Sequence, residues 1–180
     1  ITFERDGRTL LREAGRHFFR NDLDRPDDRF GAEQCFVLDD ADALYGLGQY
    51  PDGVLNRRGG DVTVIHGNVT VAVPFLLSTG GWGILWDNAS HTDFHEDRGG
   101  MQFTSEVADG VDYYLCTGES ADAVIAGYRR LTGAAPLFPR ALYGFIQCKE
   151  RYRTAEELKE VVREHRRREL PLDVIVQDWR

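Results

Sequence analysis

The residue types best suited to chemistry lie near the C-terminal end of the chain, where Asp178 and Trp179 follow the run 172–176, aliphatic apart from Asp173. A carboxylate accepts hydrogen bonds from sugar hydroxyls, and an indole face packs on the C–H face of a pyranose. If that run is a parallel strand, the pair sits at its C-terminal end, where α/β folds place their sites. Residues 147–152 occupy the matching place after an earlier apolar run. On spacing alone, Asp178 reads equally well as a solvated strand end or as the ion-pair partner of a loop arginine.

Other constellations are weaker. Gly46 and Gly48 lack the third glycine of a dinucleotide loop and precede Pro51, so they read as a strand-end turn. His91 and His95 stand four apart with Asp93, Glu96 and Asp97 nearby. Asn88, Ser90 and Gly99-Gly100 flank them, which favours a polar loop over a metal site. The same carboxylates have no fixed separation that would make them a catalytic pair. His17 and His66 read as surface or turn residues. Cys35, Cys116 and Cys148 show no C-x-x-C spacing; each lies in an apolar stretch, reads as a buried free thiol, and fits a reducing compartment.

The elements that must position these residues change period along the chain. Up to about Cys116, short apolar runs alternate with Gly, Asp and Asn turns, the pattern of a sandwich or barrel. The Asp6-Gly7 pair predicts a turn between a first strand and its return. Residues 102–107 and 111–116 alternate apolar with polar about Asp109-Gly110, which predicts an antiparallel hairpin. A second hairpin is predicted from 71–77 and 82–86 about Gly80-Gly81, covered on both faces. Ser120 predicts a helix N-cap, with Ala123, Val124, Gly127, Tyr128 and Leu131 at helical steps and Gly133 as the stop. Pro136 and Pro139 mark a domain boundary.

Beyond it the pattern is strand, helix, strand. The first strand is expected over 141–147 and the second over 172–176. Thr154 and Glu157 form a capping box, Leu158, Val161, Val162 and His165 share one face, and Arg163 and residues 166–168 load the helix C-terminus. Two apolar strands joined by a helical crossover predict a parallel pair. The expected domains are therefore 1–135, a β-sandwich with its linker helix, and 136–180, a second, incomplete unit.

Composition sets the outer bounds. With 22 basic and 30 acidic side chains the net charge is −8, which argues against nucleic-acid and anionic-membrane partners. A hydrophobic share of 42% supports a packed core. No apolar run approaches the roughly 20 residues that span a bilayer. The abrupt stop after an apolar run reads as a piece cut from a longer polypeptide, whose compartment, cytoplasmic or periplasmic, stays open.

Several strings together resemble a known family. Tyr45-Gly-Leu-Gly-Gln49, Asp52-Gly-Val-Leu-Asn56, Val73-Pro-Phe-Leu-Leu-Ser78, Gly83-Ile-Leu-Trp-Asp-Asn88 and Ile125-Ala-Gly-Tyr128 are similar to the N-terminal β-sandwich of glycoside hydrolase family 31. Lys149-Glu-Arg-Tyr-Arg-Thr154 and Pro171-Leu-Asp-Val-Ile-Val-Gln-Asp-Trp179 resemble the opening of its catalytic barrel. The resemblance implies a mainly β fold: a galactose-mutarotase-like antiparallel sandwich, then the first β-α-β unit of a truncated (β/α)8 barrel. It implies a retaining, exo-acting α-glycosidase that removes terminal α-linked xylose or glucose, or a transglucosylase of the same family. A non-catalytic carbohydrate-binding sandwich is the alternative from another class.

By the same resemblance, Asp178 binds hydroxyls of the −1 sugar, Trp179 lines the same pocket, and the loop carrying Arg57 shapes the leaving-group subsite. No catalytic residue, metal or cofactor is implied within this stretch, since the two aspartates of the mechanism belong to later barrel strands. The implied partners are an oligosaccharide and the rest of the chain's own barrel. The orphan parallel strands would make the isolated fragment aggregate or form homo-oligomers.

Overall fold

The computed structural model describes residues 1–20 and 30–179, and the chain divides into two compact units, Ile1–Gly133 and Ala134–Arg180. The first holds strands β1 (Thr2–Arg5), β2 (Arg8–Arg20), β3 (Phe30–Val37), β4 (Leu44–Gln49), β5 (Asp61–Val64), β6 (Val71–Ser78), β7 (Trp82–Trp86), β8 (Thr92–Asp97), β9 (Gly100–Ala108) and β10 (Tyr113–Thr117), followed by helix α1 (Ala121–Thr132). The second holds a 3-10 turn (Arg140–Tyr143), β11 (Ile146–Arg151), α2 (Ala155–Arg167) and β12 (Val174–Trp179).

The ten strands form two antiparallel sheets, in order β1-β2-β3-β9-β8-β5 and β10-β7-β6-β4. Their inner faces bury one apolar cluster: Leu11, Phe36, Phe94, Met101 and Phe103 meet Leu44, Leu47, Leu76, Trp82, Ile84 and Trp86. Trp86 stacks on Phe103 at 5.0 Å across this core. The polar atoms these aromatics bring inside are all matched. Trp82 Nε1 and the Ser78 hydroxyl donate to Asp42, at 3.0 and 2.7 Å. Trp86 Nε1 donates to Ser105 Oγ at 2.9 Å, which meets Thr92 Oγ1 at 2.7 Å. An unmatched buried donor costs roughly 1–3 kcal/mol, so these pairings are a condition for a tryptophan-rich core.

The predicted hairpin about Asp109-Gly110 does not form. β9 pairs with β3 and β8, whereas β10 pairs with β7 in the other sheet. The local turn chemistry is right, but the stacking of Trp86 on Phe103 places β7 and β9 on facing sheets. A strand bound to β7 therefore cannot also bind β9. The hairpin of β6 and β7 forms as expected, with Gly81 at φ +85°. Its outer side is covered by α1, where Val124 and Tyr128 pack with Phe75, Leu77, Leu85 and Cys116. Ser120 caps α1 by accepting from the Ala123 amide at 3.2 Å.

Gly46 and Gly48 are not at a strand-end turn. They lie inside β4, at φ +114° and +117°, on either side of a register shift against β6. A Cβ at Gly48 would fall 1.9 Å from the Val71 carbonyl oxygen, so only glycine lets the two strands close here. The polar loop expected around His91 and His95 is mostly strand: β8 begins at Thr92, with Thr92, Phe94 and Glu96 turned inward. Of the three thiols expected to be buried, Cys116 is buried, Cys35 is half-buried and Cys148 is exposed.

In the second unit β11 and β12 pair in parallel through the α2 crossover. Both strands start later than expected. The Asp173 carboxylate accepts from the Phe145 amide at 3.1 Å, and a Cβ at Gly144 would fall 2.0 Å from it. That contact fixes the entry point, so 140–143 coil into the 3-10 turn. Thr154 caps α2 by accepting from the Glu157 amide at 3.1 Å. Glu157 reaches back to the Arg153 amide at 2.8 Å, one residue before the usual box partner. Helix residues Leu158, Val161, Val162 and His165 are half-buried, the face the periodicity predicts.

Candidate functional site

Asp178 and Trp179 are the last two residues of β12 rather than the residues after it. Both are exposed, Trp179 at 65%. They stand at the C-terminal edge of the parallel pair, as the sequence places them. Neighbouring side chains are committed. Lys149 ion-pairs with Glu157 at 2.7 Å and lies 4.7 Å over the Tyr152 ring. Gln147 Nε2 donates to the Tyr152 hydroxyl at 3.4 Å, and Tyr152 itself is buried. The Lys149 contact, then the Arg153 amide, holds the Glu157 carboxyl below its ordinary range. A lysine, an aromatic ring and a helix cap thus lock the loop between β11 and α2, which flanks the strand ends.

Among the described residues Asp178 has no hydrogen-bond or ion-pair partner. Asp178 is a free hydroxyl acceptor at a strand's C-terminal end; the exposed indole of Trp179 follows it and, by strand alternation, faces the other side of the sheet. Cys148 stands exposed in mid-strand on β11, and Gln147 is spent on Tyr152.

Arg57 belongs to the first unit, in the segment between β4 and β5. It is buried at 6% exposure, ion-paired to Asp52 and placed over the Tyr50 ring at 5.3 Å. Its amide donates to the Leu44 carbonyl at 2.8 Å. The Val54 amide and then Arg57 lower the Asp52 pKa, and burial raises that of Tyr50. Asn56 Oδ1 accepts from the amides of Leu44 and Arg58, at 3.0 and 3.2 Å. Glu96, weighed above as a catalytic carboxylate, is 2% exposed. It accepts from the Gly59 amide and lies 3.4 Å from Arg58. Its work is to hold this loop, whose Val54 and Leu55 side chains stay exposed at 49% and 78%. Sequence reasoning missed the roles of Asp52, Asn56 and Glu96, although Asp52-Gly53 and Asn56 are turn-forming types that signal a structured loop.

His95 is held by Asp61 and Asp97 on the outer side of the six-stranded sheet. His91 lies 2.9 Å from Glu106. No cluster of three or more potential metal ligands occurs among the described residues.

An antiparallel sandwich is thus followed by a parallel β-α-β unit with a carboxylate at its strand end. Residues 135–180 match the family model described as the Glycosyl hydrolases family 31 TIM-barrel domain. An α-xylosidase of Saccharolobus solfataricus is 42% identical over 160 residues, covering 84% of this chain and 22% of its own. A protein of Pseudescherichia vulneris named as an uncharacterized family 31 glucosidase is 36% identical over 151 residues, covering 84% of this chain and 27% of its own. The crystal structure of a family 31 α-xylosidase from a soil metagenome, complexed with xylose, superposes with a TM-score of 0.83 at 30% identity, over 98% of this chain and 29% of that one. The chain belongs to glycoside hydrolase family 31. It spans about a quarter of the length of these relatives.

Proposed function

We propose that this chain is the N-terminal part of a retaining, exo-acting α-glycosidase that releases terminal α-linked xylose or glucose. The observation that carries the proposal is the parallel β-α-β unit with Asp178 at its strand end, in the segment that matches the family's barrel. The identity to an α-xylosidase over most of this chain supports a xyloside as substrate.

In this reading residues 1–135 are the supporting sandwich and residues 136–180 open the catalytic barrel. Asp178 accepts hydroxyls of the sugar in the −1 subsite, and Trp179 adds an apolar surface at the rim. Arg57 enters through the loop it braces: with Asp52, Asn56 and Glu96 it fixes the exposed Val54 and Leu55, which would shape the leaving-group side. A retaining mechanism uses two carboxylates roughly 5 Å apart, one as nucleophile and one as acid/base. Both would come from later strands, so this stretch supplies binding and support, and alone it is inactive.

The test uses the complete enzyme. Incubated with p-nitrophenyl α-xyloside and α-glucoside, it should release the free sugar first as the α-anomer, followed by proton NMR before mutarotation. A β-anomer formed first, or no release from either glycoside, would contradict the proposal.

A further inference from the structure

The pairing of β11 with β12 keeps one offset from Ile146 beside Val174 to Arg151 beside Trp179, which carries Glu150 beside Asp178. Side chains alternate faces along a strand. Phe145 stacks against His165 of α2 at 6.1 Å, Gln147 reaches Tyr152, and Lys149 reaches Glu157. These three mark the helix-facing side. Ile146, Cys148 and Glu150 therefore face the other way, together with Val174, Val176 and Asp178. On that side two carboxylates stand on adjacent strands, with backbones about 4.8 Å apart.

Among the described residues neither carboxylate has a hydrogen-bond or ion-pair partner. Lys149, next to Glu150 in sequence, is turned to the opposite face and is taken by Glu157 and Tyr152. Like charges directly opposite on paired strands destabilise a sheet. A local rule broken with no compensating partner marks a position held for function. Two acceptors at this spacing match neighbouring equatorial hydroxyls of one pyranose. Below them, Cys148 and Val176 give a less polar floor, which strengthens such hydrogen bonds.

We infer that Glu150 is a second sugar-binding residue, which works with Asp178 so that the two carboxylates hold two hydroxyls of the same terminal pyranose. The inference rests on the α-glycosidase reading above. Steady-state kinetics of the complete enzyme test it, with Glu150→Gln, Glu150→Ala and Asp178→Ala on p-nitrophenyl α-xyloside and its 2-, 3- and 4-deoxy analogues. E150Q should lose about tenfold in kcat/KM on the parent glycoside and E150A more, as expected for one hydrogen bond to a charged group. Both should match the unmodified enzyme on one deoxy analogue, the one that lacks the hydroxyl Glu150 binds. If D178A is severely impaired while both Glu150 variants act normally on every substrate, this inference is wrong and the glycosidase reading stands. A uniform loss across all analogues would assign Glu150 a structural role and equally overturn it. Normal activity of D178A would instead overturn the sugar-site reading on which the inference depends.

Discussion

The two units treat their buried and charged groups in opposite ways. In the sandwich, carboxylates that leave water are answered at once: Asp42 by Ser78 and Trp82, Glu96 by Gly59 and Arg58. In the β-α-β unit the ion pairs among the described residues all involve the helix: Lys149 of β11 reaches Glu157, and Arg167 and Arg168 hold the Glu164 pKa at about 2. The sheet itself leaves Glu150 and Asp178 unanswered, and Ile146 and Trp179 exposed at 42% and 65%. A region that pairs its buried carboxylates in this way is scaffold. A region that leaves acceptors and apolar surface free is open to meet something else, in the proposed reading a sugar and the strands that complete a barrel.

The contrast predicts that stability and activity respond to different residues. The largest effect belongs to Trp82→Ala, which removes a fully buried indole and orphans one acceptor pairing of Asp42. It should cost about 3–5 kcal/mol of sandwich stability by denaturant unfolding. Asp42→Ala leaves the Trp82 N–H and the Ser78 hydroxyl without their acceptor, and should cost roughly 2 kcal/mol in the same assay. Either variant within 0.5 kcal/mol of the parent would break the picture of a sandwich held by its buried polar pairs.

In the second unit Thr154→Ala removes the α2 cap and should cost about 1 kcal/mol. Glu157 adds a pH signature. Its folded-state pKa lies below the ordinary value of 4.5, so its contribution is present above that value and fades as pH falls through the folded pKa. Glu157→Gln should flatten the acid side of the unfolding profile below about pH 4.5, and an unchanged profile would remove the cap from the account.

The smallest effect is at His95, whose pKa is raised above 6.5 by the bond to Asp61, against burial, with further help from Asp97. Its contribution is complete below pH 6.5 and is lost as pH rises through the raised value. His95→Gln should remove a shallow decline in stability on the alkaline side of pH 6.5. Salt should weaken that decline in the parent, because the pair is largely exposed.

How much of this was legible in the sequence depends on the range of the interaction that decides each element. Ser120, Thr154 and Gly133 act over a few residues, and both helices were read correctly from them. The Gly80-Gly81 hairpin was legible for the same reason. The Asp109-Gly110 turn was misread because the partners of β9 and β10 are chosen across the core, by Trp86 and Phe103, more than any window shows. The starts of β11 and β12 hinge on Asp173 meeting Phe145, a long-range contact between the strand entrances. The strand-end position of Asp178 was legible from the apolar run before it. Glu150 was not, because only the parallel register sets it beside Asp178. The burial of Arg57 was also hidden, since it depends on Tyr50 and Asp52 folding back over it.

The most direct measurement pairs kinetics with melting for Asp178→Ala in the complete enzyme, on p-nitrophenyl α-xyloside. An exposed carboxylate that serves binding and not folding should leave the melting temperature within about 2 °C of the parent, while kcat/KM falls by roughly 100-fold or more. Unchanged kcat/KM, or a loss explained by a lower melting temperature, would contradict the assignment of this strand end to sugar recognition.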